Sequence, residues 1–325
     1  MRIITVDDLV DIYNKTKQRG IQFIISKLNF SSIKRTKSAF DELNIQSANW
    51  WVIPKLHKRW NRLITHNETI EYKRFTVDTF LSNNKKLKML SIGSGDCMQE
   101  LEFASYENFE KILCIDITDK LLDNAREIAK TKELKNIIFK TQNIYDYEFS
   151  ENEFDLVFFH ASLHHFKNIE DFLSNKVKKT LKKNGTLIIN EFVGANRLQF
   201  PKHQIKSINE ALKLIPRKYR KRFRSNLYKD KVYGSGLIRM MLADPSECIE
   251  SENILPTVHN YFKTIYEAPF GGNILMTTLK DISHHFIELD YEKEKILDKL
   301  FEFEDSYLKK HPSDFIFGVY ENLKS

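Results

Sequence analysis

Apolar and polar positions change rhythm twice along the chain. Over residues 1–85 the apolar positions recur at helical spacing in several short pieces. One piece closes at Gly20, a residue suited to a helix C-cap. Another runs from Pro54 to Thr65, where Leu56, Trp60, Leu63 and Ile64 fall at i, i+4, i+7 and i+8 and share one face. Arg59, Arg62 and His66 fall on another face. From Lys88 the pattern becomes one of unbroken apolar runs: KMLSI, KILCID, IIFKT, FDLVFFH and GTLIINE. Helix-like stretches lie between them, including Thr118–Lys130 and Ile169–Leu181. Such runs, alternating with amphipathic helices, are what parallel strands covered on both faces look like.

The alternation stops after Glu191. Residues 196–260 are polar, basic and mostly helix-like. Two strand-like runs follow, YFKTIYEA and NILMTTL, joined by PFGG. A link that short predicts an antiparallel hairpin, because a parallel crossover needs about a dozen residues or more. The remaining segment reads as an amphipathic helical tail. The expected organisation is therefore an N-terminal helical region (1–85), an α/β core (86–195), a helical insertion (196–260), a hairpin completing the sheet (261–280) and a helical tail (281–325). A doubly wound sheet binds its ligand beyond the carboxyl ends of its strands, so the residues just after each run carry the candidate chemistry.

The first run ends in Gly93-Ser94-Gly95-Asp96-Cys97-Met98, a turn whose glycines let the backbone approach a ligand closely. A dinucleotide fingerprint would place a third glycine at position 98, where Met98 stands, which disfavours a nicotinamide or flavin enzyme. Asp116 ends the second run, at the distance beyond the glycines where a carboxylate accepts from ribose hydroxyls. It could instead cap the following helix. Asn143 follows the third run and is either an adenine-edge partner or a turn residue. His160, His164 and His165 follow the fourth, and each could act as a base, a metal ligand or a loop-orienting group. Glu191 ends the fifth, where a buried carboxylate needs a partner or a function.

Composition narrows the class. Of the 325 residues, 42% are hydrophobic and 29% charged, which is globular composition. Lys plus Arg is 51 against 44 Asp plus Glu, a mild excess of +7. The excess is concentrated at Arg217, Lys218, Arg220, Lys221, Arg222 and Arg224, a run that either attracts phosphates and an anionic membrane surface or forms a solvated face. The three cysteines form neither a CxxC pair nor a zinc pattern. With no apolar run of signal-peptide or membrane-spanning length, the expectation is a cytoplasmic protein.

Taken in order, LSIGSGD, CID, FDLVFFHASLHHF and GTLIINE resemble the motifs of class I S-adenosylmethionine-dependent methyltransferases. The resemblance covers residues 88 to 280 without the insertion. It implies a Rossmann-like doubly wound sheet of seven strands in the order 3-2-1-4-5-7-6, the last antiparallel. It implies S-adenosylmethionine as cofactor and S-adenosylhomocysteine as product. Gly93, Gly95, Asp96, Asp116, Ile117, Asn143, Ile144 and His160 would line that cofactor. Ser91 stands where the family frequently has an acid and Cys97 where it has a third glycine, so Arg59 or Arg62 is a candidate partner for the cofactor carboxylate. The flanks NWWVIPKLHKRWNRLIT, EFVGANRLQF and ADPSECIESENILP resemble bacterial methyltransferases associated with cell-surface glycans.

A sugar hydroxyl needs a base as it takes the methyl group, which is worth roughly 10²–10⁴-fold in rate. The candidates are His164 or His165, with Glu191 as the orienting carboxylate. The same three residues could hold a divalent metal, but no further ligand cluster accompanies them, so no metal is expected. The insertion, expected to form a lid or substrate wall, offers His203, Tyr219, Arg220, Tyr233, Asp244 and Glu247. The expected partner is a sugar, nucleotide-sugar or glycan acceptor. The alternatives are an RNA or small-molecule N-methyltransferase and a non-catalytic scaffold. No RNA-binding module is evident, and HASL stands where the Asn/Asp-Pro-Pro-aromatic signature of amino-group methylation would be.

Overall fold

Seven strands form one sheet in the order β3-β2-β1-β4-β5-β7-β6. They are β1 Leu87–Ile92, β2 Phe109–Asp116, β3 Ile137–Thr141, β4 Phe154–His160, β5 Leu181–Phe192, β6 Lys263–Gly271 and β7 Phe315–Glu321. The computed structural model describes residues 1–19 and 49–323, so the expected helix cap at Gly20 lies outside the described residues. The strands β1 to β5 are mutually parallel, with Met89 beside Leu156 and Ile92 beside Ile115. In β1, β2 and β4 the central apolar runs are unbroken because both faces are covered, whereas β3, at the sheet edge, buries only Ile137. On one face Leu90, Ile92, Ile115, Val157, Phe159, Leu187 and Ile189 pack with Leu173, Ile254 and Val258. On the other, Met89, Cys114, Leu156, Phe158 and Ile188 are buried, and Phe103 meets Phe158 edge-on at 5.3 Å between ring centres.

The closing strands differ from the expected hairpin. The KTIYEA part of the first run is in β6, which continues through the PFG read as a link, but NILMTTL is not a strand: Leu275–Leu279 is a short helix. The last strand instead comes from the supposed helical tail, as FIFGVYE in β7. The reason is a carboxylate far away in sequence. Glu304, fully buried on the Tyr291–Leu308 helix, accepts the backbone N–H groups of Gly272, Ile274 and Leu275 at 3.0 Å each. Those donors would otherwise be orphaned at a helix start. Gly271 and Gly272 adopt φ of +88° and +89°, which ends the extended run. The strand β7 runs antiparallel to β5, since the N–H of Asn322 donates to the carbonyl of Gly185 and that of Asn184 to the carbonyl of Asn322. The helical stretch expected over Ile169–Leu181 is present as 169–180, with a π-helical centre at Phe172–Val177.

The chain forms two compact units: residues 1–60, 194–248 and 269–315, and residues 61–193, 249–268 and 316–325. Residues 1–60 of the expected N-terminal region and 196–248 of the expected insertion thus share the first unit with 269–315, while 61–85 and 249–260 fall in the second. The Ile254–Tyr261 helix, assigned to the insertion, packs in the sheet's own core. In the first unit Trp50, Ile53 and Leu56 pack with Ile208, Leu212, Leu279, Phe286 and Leu297.

Arg59 belongs to this buried interior, not to a polar helix face. It is 2% exposed and its guanidinium bonds Asp305 Oδ1 at 2.6 Å and Glu304 Oε2 at 3.4 Å. The positions Leu56, Arg59, Trp60 and Leu63 form one helical stripe into which the cation is drawn by its two carboxylates. The basic run is likewise committed. Lys218 pairs with Glu292 at 2.6 Å, Arg222 with Asp281 at 2.5 Å, and Arg217 and Arg220 lie 4.0 and 3.8 Å from Asp230. Three carboxylates thus offset part of the charge of the six cations, and Arg222 is buried rather than on an exposed face.

Candidate active site

The site is built in the second unit, at the carboxyl ends of the parallel strands. The strand order reverses between β1 and β4, so the crevice above that pair is the switch point. After β1 the chain turns through Gly93 and Gly95, at φ of +68° and +54°. A side chain on Gly93 would come within 2.9 Å of the Ser162 Cβ, so only glycine lets the β1 and β4 ends meet. At Gly95 an added Cβ would meet nothing within 4 Å, which leaves the turn open to a ligand.

Asp116 ties this turn to β2. Its Oδ2 accepts the Gly95 N–H at 2.9 Å and its Oδ1 the Thr118 N–H at 2.8 Å. Each oxygen keeps a further lone pair, and the residue stays half-buried. The helix-cap alternative is therefore partly realised, through Thr118, without consuming the carboxylate. Asp96 is exposed and caps its own turn by accepting from the Met98 N–H at 3.2 Å. Ile117 is half-buried beside Asp116, and Ile144 is in the core. Asn143 is a turn residue: its Oδ1 accepts the Tyr145 N–H at 3.2 Å and its amide donates to Asp146 at 3.0 Å.

The carboxylate missing at Ser91 is restored from the next helix. Glu100, on Met98–Phe103, takes a 2.5 Å hydrogen bond from Ser91 Oγ. Burial pushes its carboxyl up to about 7, with Asp96 and Asp116 adding to the rise and Ser91 opposing it. Glu100 Oε2, Ser94 Oγ and Thr118 Oγ1 are buried without a protein partner. Three orphaned polar atoms around an open glycine turn, with a carboxylate beside it, fit a ligand that carries hydroxyl and cationic groups.

Glu191, at the end of β5 and fully buried, holds the loop after β4. Its Oε1 accepts the N–H groups of Ser162 and, at 2.6 Å, Leu163; its Oε2 takes His164 Nδ1 at 2.7 Å. Burial pushes this carboxyl up, but the His164 charge and hydrogen bond and the two N–H groups outweigh it and hold it below the usual carboxylate value. It is an orienting anion. His165 lies against His164, ring centres 4.2 Å apart.

Sequence reasoning missed the partners of His160. Tyr72, on the Tyr72–Phe80 helix, lies parallel to its ring, and the phenol oxygen is 3.2 Å from His160 Nδ1. Tyr72 also reaches Gln99 Oε1 at 3.1 Å, and Lys73 Nζ meets the same oxygen at 2.9 Å. No local pattern points to Tyr72 or Gln99; the charge cluster Glu71, Lys73, Glu102 was the one available hint.

The remaining expected residues are engaged elsewhere. The buried Arg59 guanidinium is paired with Glu304 and Asp305 rather than pointing to a polar helix face, and the exposed Arg62 pairs with Glu68 at 3.1 Å. His203, Tyr219, Arg220 and Tyr233 belong to the first unit. There His203 stacks on His311, Tyr219 bonds Glu292 at 2.9 Å, Arg220 donates to the Ile215 carbonyl at 2.7 Å, and the Tyr233 ring is exposed. Asp244 accepts from Ser246 at 2.6 Å.

A family model described as a methyltransferase domain matches residues 83–260. The chain belongs to that family, the methyltransferase domains, and its sheet is the seven-stranded Rossmann-like fold. It is 26% identical over 106 residues to the uncharacterized protein YafE of Escherichia coli (33% of this chain, 48% of that protein). It is 25% identical over 197 residues to the protein Ycf2 of Marchantia polymorpha (57% of this chain, 9% of that protein). The chain thus spans less than half the length of either relative. Among solved structures, the geranyl diphosphate C-methyltransferase of Streptomyces coelicolor A3(2) aligns with a TM-score of 0.48 at 8% identity, over 77% of this chain and 78% of that one. Among the described residues no helix is long and apolar enough to cross a membrane.

Proposed function

We propose that the chain methylates an oxygen acceptor, the hydroxyl of a sugar, nucleotide-sugar or glycan. The observation that carries this reading is the group of imidazoles at the carboxyl edge of β4 and β5, His160, His164 and His165, among which His164 is held by the buried Glu191. An acceptor hydroxyl must lose a proton as it is methylated, whereas a neutral amine needs no base for attack. This edge supplies imidazoles, with Glu191 fixing the Nδ1 side of His164. Gly93 and Gly95 would pass beneath the cofactor, Asp116 would accept from its ribose hydroxyls, and Ser94, Glu100 and Thr118 would meet its remaining polar groups. The bound sulfonium supplies an electrophilic methyl group; the chain positions the acceptor and handles its proton.

The RNA reading loses its main support, because four cations of the 217–224 run are paired with carboxylates. The test is transfer of tritium from [methyl-³H]S-adenosylmethionine to UDP-glucose, UDP-N-acetylglucosamine or dTDP-rhamnose, beside phosphoethanolamine and total RNA. Alkali-stable label in a sugar supports the reading. Label confined to the amine or to RNA overturns it.

A further inference from the structure

The hydrogen bonds around His160 fix which of its nitrogens carries the proton. Lys73 Nζ has three donors and meets three acceptors: Glu71 at 2.7 Å, Glu102 at 2.8 Å and Gln99 at 2.9 Å. The Gln99 atom facing it must be the carbonyl oxygen, since the amide nitrogen would oppose donor to donor. Tyr72 lies 3.1 Å from that same oxygen. An amide oxygen cannot donate, so the single phenol proton belongs to the Tyr72–Gln99 bond. Burial and the surrounding glutamates push the Tyr72 phenol well up, so it keeps that proton. With its proton spent, Tyr72 can only accept from His160, at 3.2 Å from Nδ1. Nδ1 is therefore protonated, and Nε2 carries the lone pair.

We propose that the relay Lys73–Gln99–Tyr72 holds His160 as the Nδ1–H tautomer, so that Nε2 is the proton acceptor for the hydroxyl being methylated. The inference rests on the oxygen-acceptor reading above. His160 ends β4 at the switch point, two residues past Phe158, which pairs with Ser91 just before the glycine turn. Nε2 has no protein hydrogen bond among the described residues. His164 is also bound through Nδ1, to a carboxylate that clamps the loop backbone. The balance is simple. The acceptor oxygen bonds to the methyl carbon, the carbon–sulfur pair stays with sulfur as the neutral thioether, and the acceptor proton passes to Nε2 and later to water. Desolvation pushes the ring down to about 4, with Glu191 opposing and Lys73 adding to the fall, so it is neutral at physiological pH. In this scheme Tyr72, Gln99 and Lys73 are positioning residues.

The deciding experiment is a long-range ¹H–¹⁵N spectrum of the imidazoles in the free protein, with His160 assigned through a His160→Gln variant. The expected result is a protonated Nδ1 and a bare Nε2, with the populations shifting toward Nε2–H in Tyr72→Phe. A protonated Nε2 in the wild-type protein overturns the proposal. In the second arm, His160→Gln should bind S-adenosylhomocysteine within about threefold of wild type and transfer methyl to the best of the three sugar nucleotides roughly 10²–10⁴-fold more slowly. Lost S-adenosylhomocysteine binding with unchanged transfer at saturation would make His160 a binding residue and overturn the base. Label found only in amine or RNA would instead overturn the acceptor reading, and with it the proton-accepting role.

Discussion

Replacing Glu191 perturbs both the fold and the site, and the geometry sets the size of the effect. Its carboxylate serves the N–H groups of Ser162, Leu163 and Phe192 and the Nδ1 of His164, all buried. Glu191→Ala leaves these donors without an acceptor. Each orphaned buried donor costs about 1–3 kcal/mol, and removing one partner of a buried charged pair about 3–5 kcal/mol in total. The costs overlap, so the expected loss is about 3–5 kcal/mol. Glu191→Gln keeps one carbonyl oxygen for Ser162 and Leu163 and turns an amide toward His164, so about 1–2 kcal/mol should be lost. The pH dependence separates the two effects. The folded Glu191 carboxyl is held below its unfolded value, so its contribution is present above the unfolded pKa of about 4.3 and fades as pH falls through the folded value. Urea unfolding of wild type and both variants, followed by circular dichroism at pH 7 and at stepped acid pH, reads these quantities. A Glu191→Ala loss under about 1 kcal/mol, or an acid-side decline as steep in Glu191→Gln as in wild type, would refute the reasoning.

Other variants probe separate parts of the structure. Glu100 is raised to about 7 by burial, so its cost to the fold is absent below about pH 4.5 and grows as pH rises toward 7, reaching about 3 kcal/mol. Glu100→Gln should therefore flatten the fall in stability between pH 5 and 7 seen in urea melts, and an unchanged slope would contradict the assignment. Gly93→Ala should lower the melting temperature and weaken S-adenosylhomocysteine binding together, because its Cβ meets Ser162 at 2.9 Å; a variant that behaves as wild type in both would contradict the close approach. Arg59→Met should cost about 3–5 kcal/mol by stranding Glu304, while the folded variant binds S-adenosylhomocysteine as wild type does by calorimetry. Loss of binding without loss of stability would return Arg59 to the cofactor.

The inner parallel strands were legible because a strand covered on both faces must be apolar at nearly every position; β3, an exposed edge strand, was legible only from its short IIF run. Asp116 and the glycine turn were legible for a related reason: they follow those strands directly. The last strand was not. FIFGVYE is as apolar as NILMTTL, and what makes the second a helix is Glu304, some thirty residues away. Arg59 was misplaced because periodicity sends charges outward unless a distant partner is known, and its partners are 245 and 246 residues along. For the basic run the choice between an anion-attracting field and a solvated face stayed open, because Asp230, Asp281 and Glu292 are remote or inconspicuous in sequence. Tyr72 and Gln99 escaped notice since neither is unusual for a helix, and only the fold brings them to His160.

The proposed site for S-adenosylmethionine is the glycine turn together with Asp116. Calorimetric titration of wild type and Asp116→Ala with S-adenosylhomocysteine tests it most directly. The account predicts one site per chain in the wild type and an affinity about 10²-fold weaker in the variant, the worth of hydrogen bonds to a charged acceptor. Equal affinity in the two proteins, both folded, would contradict it.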